Sequence, residues 1–373
     1  MISRGKGFRF SSLLLLSSLL TSCGGGSYTV GTSNPNPPSG NTSYFPYQQG
    51  RLGADGAYSV PLGGGQSLGI FGDTFIGPST ATGRTQATGF IPNSIAISTC
   101  SKQSCTFQYY WSGMNTSTPG PVFSAPNNDW FWPMDGFVYN RTLYLALMQM
   151  HATASGGACG LAYSGAQMAS VNNYAAPPSQ WSVTYQNLNT GGSAVPGPSI
   201  VVGQGANGNP DPSNPLGANY AYLFTVVPSS SSSAPYMALV RLPLNQLNSA
   251  ARPGNASWEY LKSDSTWGTW QDTNAILPSD NSVVINPGAT EMTGRYHNST
   301  NQWIAVYPIG LDNKTHYSRR PLFVPGDAID KSKLHSQRLH VMPRKNMLNS
   351  KTLVGSRLLT PATQRLKAIL PTT

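Results

Sequence analysis

The chain has 373 residues and a formal net charge of +10. The excess is local: residues 318–373 carry 11 Lys and Arg against 2 Asp and Glu, whereas residues 24–317 carry 9 against 11. A near-neutral body rich in Gly, Ser, Asn and aromatic residues excludes the basic folded surface that nucleic-acid binding requires. It suits an exported protein that handles neutral polymers.

The N-terminus reads as a removable export signal rather than part of the fold. Arg4, Lys6 and Arg9 precede the apolar run "LLLLSSLL", which is too short to span a bilayer as a mature helix. The segment ends in Leu20-Thr21-Ser22-Cys23. This resembles the lipobox of bacterial lipoproteins, which implies lipidation of Cys23 and anchoring by several acyl chains. Residues 1–23 are therefore expected as a lipoprotein signal peptide. Residues 24–43, "GGGSYTVGTSNPNPPSGNTS", are expected as a flexible tether. Gly24 offers no acidic retention signal, which points to the outer membrane or cell surface of a bacterium.

From residue 44 to 317 no amphipathic helical pattern appears. Short runs predict strands instead: "QSLGIFGDTFIG", "NSIAISTC", "TFQYYWSG", "GFVYNRTLYLALMQM", "PSIVVG", "YAYLFTVV", "YMALVRLPL", "SWEYLKS", "EMTGRYH" and "QWIAVYP". Gly, Pro and Asn punctuate them, so the fold class is all-β. A turn followed by an aromatic-rich strand recurs at Leu68, Leu143, Tyr222 and Trp303. Units of that length can each hold one four-stranded blade of a β-propeller plus a long loop. A β-sandwich or jelly roll is the alternative.

Cys100 and Cys105 are placed to close a small loop across a hairpin, as an exported protein permits, which leaves Cys159 odd. No CxxC, HExxH or histidine pair suggests a metal site. The Ser run 229–233 is a loop, and His151 reads as a strand-end residue. From Ser318 onward the aromatics thin to one Phe while Lys and Arg rise. Residues 318–373 are expected either as a basic, partly helical tail or as the product of a shifted reading frame. Re-reading adjacent codons across "HVMPRKNML" and "LLTPATQ" permits strand-and-turn text of the kind found in the body.

Two carboxylates, Asp55 in "GADGAYSV" and Asp73 in "IFGDTFIG", are placed on adjacent strands joined by the turn "LGGGQS". A carboxylate among apolar strand residues is costly unless paired or hydrogen-bonded. With "PNSIAI" and "TEMTGRYHNSTNQWIAVYP", these motifs resemble a group of bacterial domains of unknown function. These are themselves similar to five-bladed β-propeller glycoside hydrolases of the endo-D-arabinanase-like group. The resemblance spans roughly residues 45–310 and implies a five-bladed propeller, with a last blade missing or garbled in the basic tail. It also implies innermost strands that line a funnel where carboxylates from different blades meet.

Glycoside hydrolysis needs such a constellation: a carboxylic acid protonates the leaving oxygen, and a carboxylate attacks carbon or activates water. By resemblance, Asp55 and Asp73 are base or nucleophile candidates. Capping of turns beside glycine is the alternative. Asp135, in "WFWPMDGFVYN", is a third candidate, with Trp130 and Trp132 as sugar platforms. Glu291 is the general-acid candidate, on a strand that also offers Arg295 for substrate binding. Better-known five-bladed glycosidases carry their acid glutamate earlier in the chain. Asn93 and Ser94 are placed either to bind a sugar or to hold Asp73.

The expected function is that of a monomeric, cell-surface glycoside hydrolase-like lipoprotein acting on a polysaccharide, with the membrane as its second partner and nucleic acid excluded. No essential cofactor is expected, although an oxygen-rich channel suits calcium. A non-catalytic glycan-binding or structural lipoprotein on the same fold is the alternative.

Overall fold

The computed structural model of the protein describes residues 47–100, 105–114, 116–153, 160–189, 194–202, 219–228, 235–247, 258–270, 277–297, 302–308, 314–321 and 340–343. The signal segment with Cys23, the tether, Cys159 and the serine run at 229–233 lie outside these residues.

The chain enters through β1 (Arg51–Ala54), β2 (Ala57–Gly63) and β3 (Gln66–Phe71). It detours through β4 (Thr74–Ile76) and β5 (Gly89–Ile91), then returns as β6 (Ser94–Cys100) and β7 (Cys105–Tyr110). Strands β2, β3, β6 and β7 form the first sheet in that order, while β1, β4 and β5 form a small separate sheet. The run 66–77, expected as one strand, is therefore two. It breaks at Gly72-Asp73, where the chain leaves one sheet for the other. A disulfide joins Cys100 to Cys105 at the turn of the β6–β7 hairpin.

The second sheet is a meander of β8 (Trp130–Tyr139), β9 (Thr142–Ala152), β10 (Leu161–Val171) and β11 (Val183–Asn189). Its first hairpin turns on Asn140 and Arg141, both at positive φ (45° and 59°). That is the backbone of a two-residue turn whose twist matches the flanking strands. The third sheet runs β12 (Val195–Val202), β13 (Tyr220–Val227), β14 (Tyr236–Pro243), β15 (Glu259–Leu261) and β16 (Trp267–Thr269). The fourth runs β17 (Thr293–His297), β18 (Gln302–Pro308), β19 (Lys314–Pro321) and β20 (His340–Pro343).

All neighbouring strands are antiparallel. Helical structure among the described residues amounts to three 3-10 turns, at Arg84–Gln86, Pro178–Gln180 and Leu244–Gln246. The fold is all-β. The recurring positions Leu68, Leu143, Tyr222 and Trp303 fall on β3, β9, β13 and β18, in each case the second strand of a sheet. The compositional break at residue 318 falls inside β19, so the strand pattern runs past it. Ladder hydrogen bonds come from the backbone, so a change in side-chain composition does not by itself end the pairing.

The first strands pack in sequence: β2 on β8, β8 on β12 and β12 on β17. Near-continuous apolar runs such as "LYLALM" in β9 arise because these sheets bury both faces. One face of the second sheet, with Phe131, Leu143, Leu145 and Leu147, meets Tyr58, Val60, Leu68 and Ile70 of the first. Its other face, with Phe137, Tyr144 and Met148, meets the third sheet in a larger cluster that extends to Met292 and Tyr307 of the fourth. The Tyr58 hydroxyl also donates to the Thr290 carbonyl at 3.5 Å, across 232 positions of sequence. That contact brings the first sheet to the approach of β17.

Candidate active site

The starts of the first strands collect the acidic side chains. Asp55 lies two residues before β2, Asp129 directly precedes β8, and Glu291 lies two residues before β17. Asp73 joins Asp55 because β3 returns antiparallel to the point where β2 begins, with Ala57 paired to Phe71. Backbone bonds lock this corner: Asp55 N donates to Asp73 O at 3.1 Å, and Gly72 N donates to Asp55 O at 3.0 Å. Gly72 is required there because a Cβ at that position would strike the Asp55 carboxylate. Buried Thr74 donates to Gly72 O at 2.7 Å and shares a 2.8 Å hydrogen bond with the buried Ser94 hydroxyl. Ser94 thus holds the Asp73 corner through Thr74.

From the second sheet, Trp132 reaches across and donates its indole N–H to Asp73 Oδ1 at 2.8 Å. Trp130 stands edge-on to Trp132, with ring centroids 6.3 Å apart. Burial pushes the Asp73 carboxyl up to about 7; the Trp132 bond opposes that rise and the nearby charge of Asp55 adds to it. Burial also raises Asp55, but backbone amides of Asp73 and Asp55 and the charge of Arg84 oppose it. Asp55 is raised on balance, and beside it Asp73 keeps its proton to about pH 7. The Tyr58 hydroxyl is pushed well above its ordinary range, first by burial and then by the charges of Glu291, Asp135 and Asp55. Carboxylates approaching from three different sheets thus act on one hydroxyl.

Asp135 and Arg295 do something else. Asp135 is 1% exposed and pairs with Arg295, Nη1 to Oδ2 at 2.8 Å and Nη2 to Oδ1 at 3.0 Å. Its oxygens also accept the Gly136 N–H at 2.9 Å, the Ile200 N–H at 2.8 Å and the Ser199 hydroxyl at 3.3 Å. Burial works against the charge on Arg295, and Asp135 outweighs it, so the guanidinium is held above its ordinary range. This geometry commits Asp135, expected as a catalytic candidate, and Arg295, expected to bind substrate, to each other. Together they tie β8, β12 and β17 into one node.

Asn93, equally expected as a plain turn residue, has its side-chain bonds taken up by backbone. It is fully buried, donates to the Phe123 and Phe131 carbonyls at 2.9 Å each, and accepts the Phe123 N–H at 2.8 Å. It clamps the segment that leads into β8. Asp135 is committed to Arg295, and no group of three His, Cys, Asp or Glu lies together among the described residues.

With this geometry in view, a family model described as a domain of unknown function, DUF5005, matches residues 40–310. The chain belongs to the DUF5005 family. The DUF5005 span contains every residue of the corner and of the node, and it ends before β19. The crystal structure of a "putative hydrolase" from Bacteroides ovatus ATCC 8483 is also similar. The likeness covers 73% of this chain and 67% of that one, with a TM-score of 0.51 and 15% sequence identity. At that identity the likeness is one of fold. No curated protein matches this DUF5005 chain.

Sequence reasoning missed Tyr58, Ser199 and Asp129 as members of the polar constellation. Asp129 accepts from Gln149 at 2.6 Å and from Ser164 at 3.0 Å beside Trp130. Its place directly before "WFW" was a usable signal. Tyr58 and Ser199 carried none, because each reads as an ordinary strand residue.

Proposed function

We propose that the protein is a cell-surface glycoside hydrolase of the propeller type. In this reading the four sheets are blades on a five-blade plan whose last blade is lost or altered in the basic tail. The successive meanders, the packing of first strand on first strand and the Tyr58–Thr290 contact support that arrangement. Cys23 would carry the lipid anchor, with residues 24–43 as the spacer. The structural likeness to a protein described as a hydrolase is consistent with hydrolysis.

The observation that carries the reading is the Asp55–Asp73 corner with the Trp132 indole upon it. A carboxyl that stays protonated to about pH 7 can deliver a proton to a glycosidic oxygen as the bond to the sugar carbon breaks. Asp73, expected from sequence as a base or nucleophile, is that acid in this reading, kept protonated first by burial and then by the nearby Asp55. Glu291, two residues before β17 and near enough for its charge to act on the Tyr58 hydroxyl, is the carboxylate that attacks the sugar carbon or takes a proton from the incoming water. Trp130 and Trp132 offer faces for a sugar ring.

The test is single amide substitution of Asp55, Asp73 and Glu291, assayed on arabinan and other polysaccharides. Asp73→Asn and Glu291→Gln should each lower hydrolysis by about 10²–10⁴-fold. Asp55→Asn should chiefly move the alkaline limb of the pH profile downward. Unchanged hydrolysis in all three would end the enzymatic reading in favour of a glycan-binding surface lipoprotein.

A further inference from the structure

The small sheet of β1, β4 and β5 carries an aromatic face that the acid corner leaves unexplained. Phe90 is 56% exposed, unusually open for a large aromatic side chain, and it lies directly opposite Phe75 across the β4–β5 ladder. The two rings pack edge to face with centroids 5.3 Å apart. The Arg84 guanidinium lies 5.3 Å over the Phe75 ring, and its Nε donates to the Leu52 carbonyl at 3.3 Å. Gly53, at φ 127°, permits that placement, because a Cβ there would collide with the guanidinium. The group is thus held flat at one edge of the aromatic pair.

The position of this face is informative. Phe75 lies two residues beyond Asp73, on the strand that leaves the corner, and is half-buried between buried Thr74 and Ile76. Arg84 is close enough for its charge to act on Asp55. Arg84, set against Gly53 two residues before Asp55 and over the Phe75 ring, thus links the aromatic pair to the Asp55 side of the corner.

We propose that Phe75, Phe90 and Arg84 form a subsite for a sugar residue next to the bond that the acid corner cleaves, an inference that rests on the hydrolase reading above. The apolar face of a sugar ring stacks on exposed Phe90, which Phe75 buttresses edge to face, while Arg84 donates hydrogen bonds to ring hydroxyls. An exposed aromatic patch rimmed by a fixed cation marks a binding surface. A neutral glycan is the occupant favoured here. It offers apolar C–H faces to the rings and hydroxyl acceptors to the guanidinium, and it is continuous with the proposed point of cleavage.

The test is affinity gel electrophoresis of the full chain, in the Asp73→Asn background so that no polymer is cut, through gels containing arabinan, xylan or mixed-linkage β-glucan. Retardation by at least one polymer is expected. Phe90→Ala and Arg84→Ala should each weaken it at least fivefold, while Phe90→Trp, which keeps a platform, should retain it. Undiminished retardation of Phe90→Ala would overturn the subsite and leave the hydrolase reading standing. Absence of retardation in every gel would overturn the subsite as well. Retardation that depends on Phe90, in a protein whose unsubstituted form hydrolyses none of these polymers, would keep the binding face and refute the hydrolase reading alone.

Discussion

Two regions of this molecule place carboxylates among apolar strands, and they resolve the same problem in opposite ways. Asp135 commits both oxygens to protein: a bidentate guanidinium, two backbone amides and a hydroxyl. Asp73 accepts one indole hydrogen bond and relieves the rest of its burial by holding a proton to about pH 7. The first arrangement leaves no lone pair suitably free for chemistry and joins three sheets. The second keeps a transferable proton beside aromatic side chains. Burial alone therefore does not mark a functional acid; what matters is whether the protein has already satisfied it.

Removing Arg295 should sharpen the contrast most. Arg295→Met leaves Asp135 buried and short of its main partner, a change that typically costs about 3–5 kcal/mol. Urea denaturation should show a loss of that size, and a loss below about 1 kcal/mol would mean that the node is not structural.

The acid corner should respond to pH instead. Asp73 holds its proton to about pH 7 in the folded protein but releases it near the ordinary value of 3.8 when unfolded. The folded state thus binds more protons between those values, and stability falls as pH rises through the window. The stability is fully present below it and lowest above it. Asp73→Asn should flatten this decline, removing a pH-dependent term on the order of 2 kcal/mol in melts between pH 4 and 8. An unchanged slope in the amide variant would place the titrating group elsewhere.

A smaller effect is expected at Trp132. Its indole hydrogen bond favours ionised Asp73, so Trp132→Phe should move the upper edge of that window upward by roughly one pH unit, the weight of one charge-assisted hydrogen bond. Matching pH titrations of the two proteins would check the direction. The smallest change belongs to the support of the corner. Ser94→Ala removes a buried hydroxyl partner of Thr74 and should lower stability by about 1 kcal/mol in chemical denaturation.

Much of the architecture was legible in the sequence for a definite reason. Apolar and aromatic runs separated by Gly, Pro and Asn dictate strands and turns locally, whatever the rest of the chain does. The recurrence of Leu68, Leu143, Tyr222 and Trp303 on the second strand of each sheet follows from the same local pattern. Strands with mixed or small residues escaped notice. The β10 run "LAYSGAQMASV" mixes small and polar residues into its apolar ones, so it shows no continuous apolar stretch, and β16 is three residues long. The break at Gly72-Asp73 was also invisible, since a change of sheet leaves no mark on composition.

By itself, then, the sequence determined the all-β class, the hairpin turns and the presence of carboxylates beside glycines. Those properties depend on neighbours within a few positions. Which carboxylate is satisfied was decided only in three dimensions. Asp135 meets Arg295 across 160 positions, and Asp73 meets Trp132 across 59. Whether a buried acid becomes a structural ion or a proton donor depends on those distant partners.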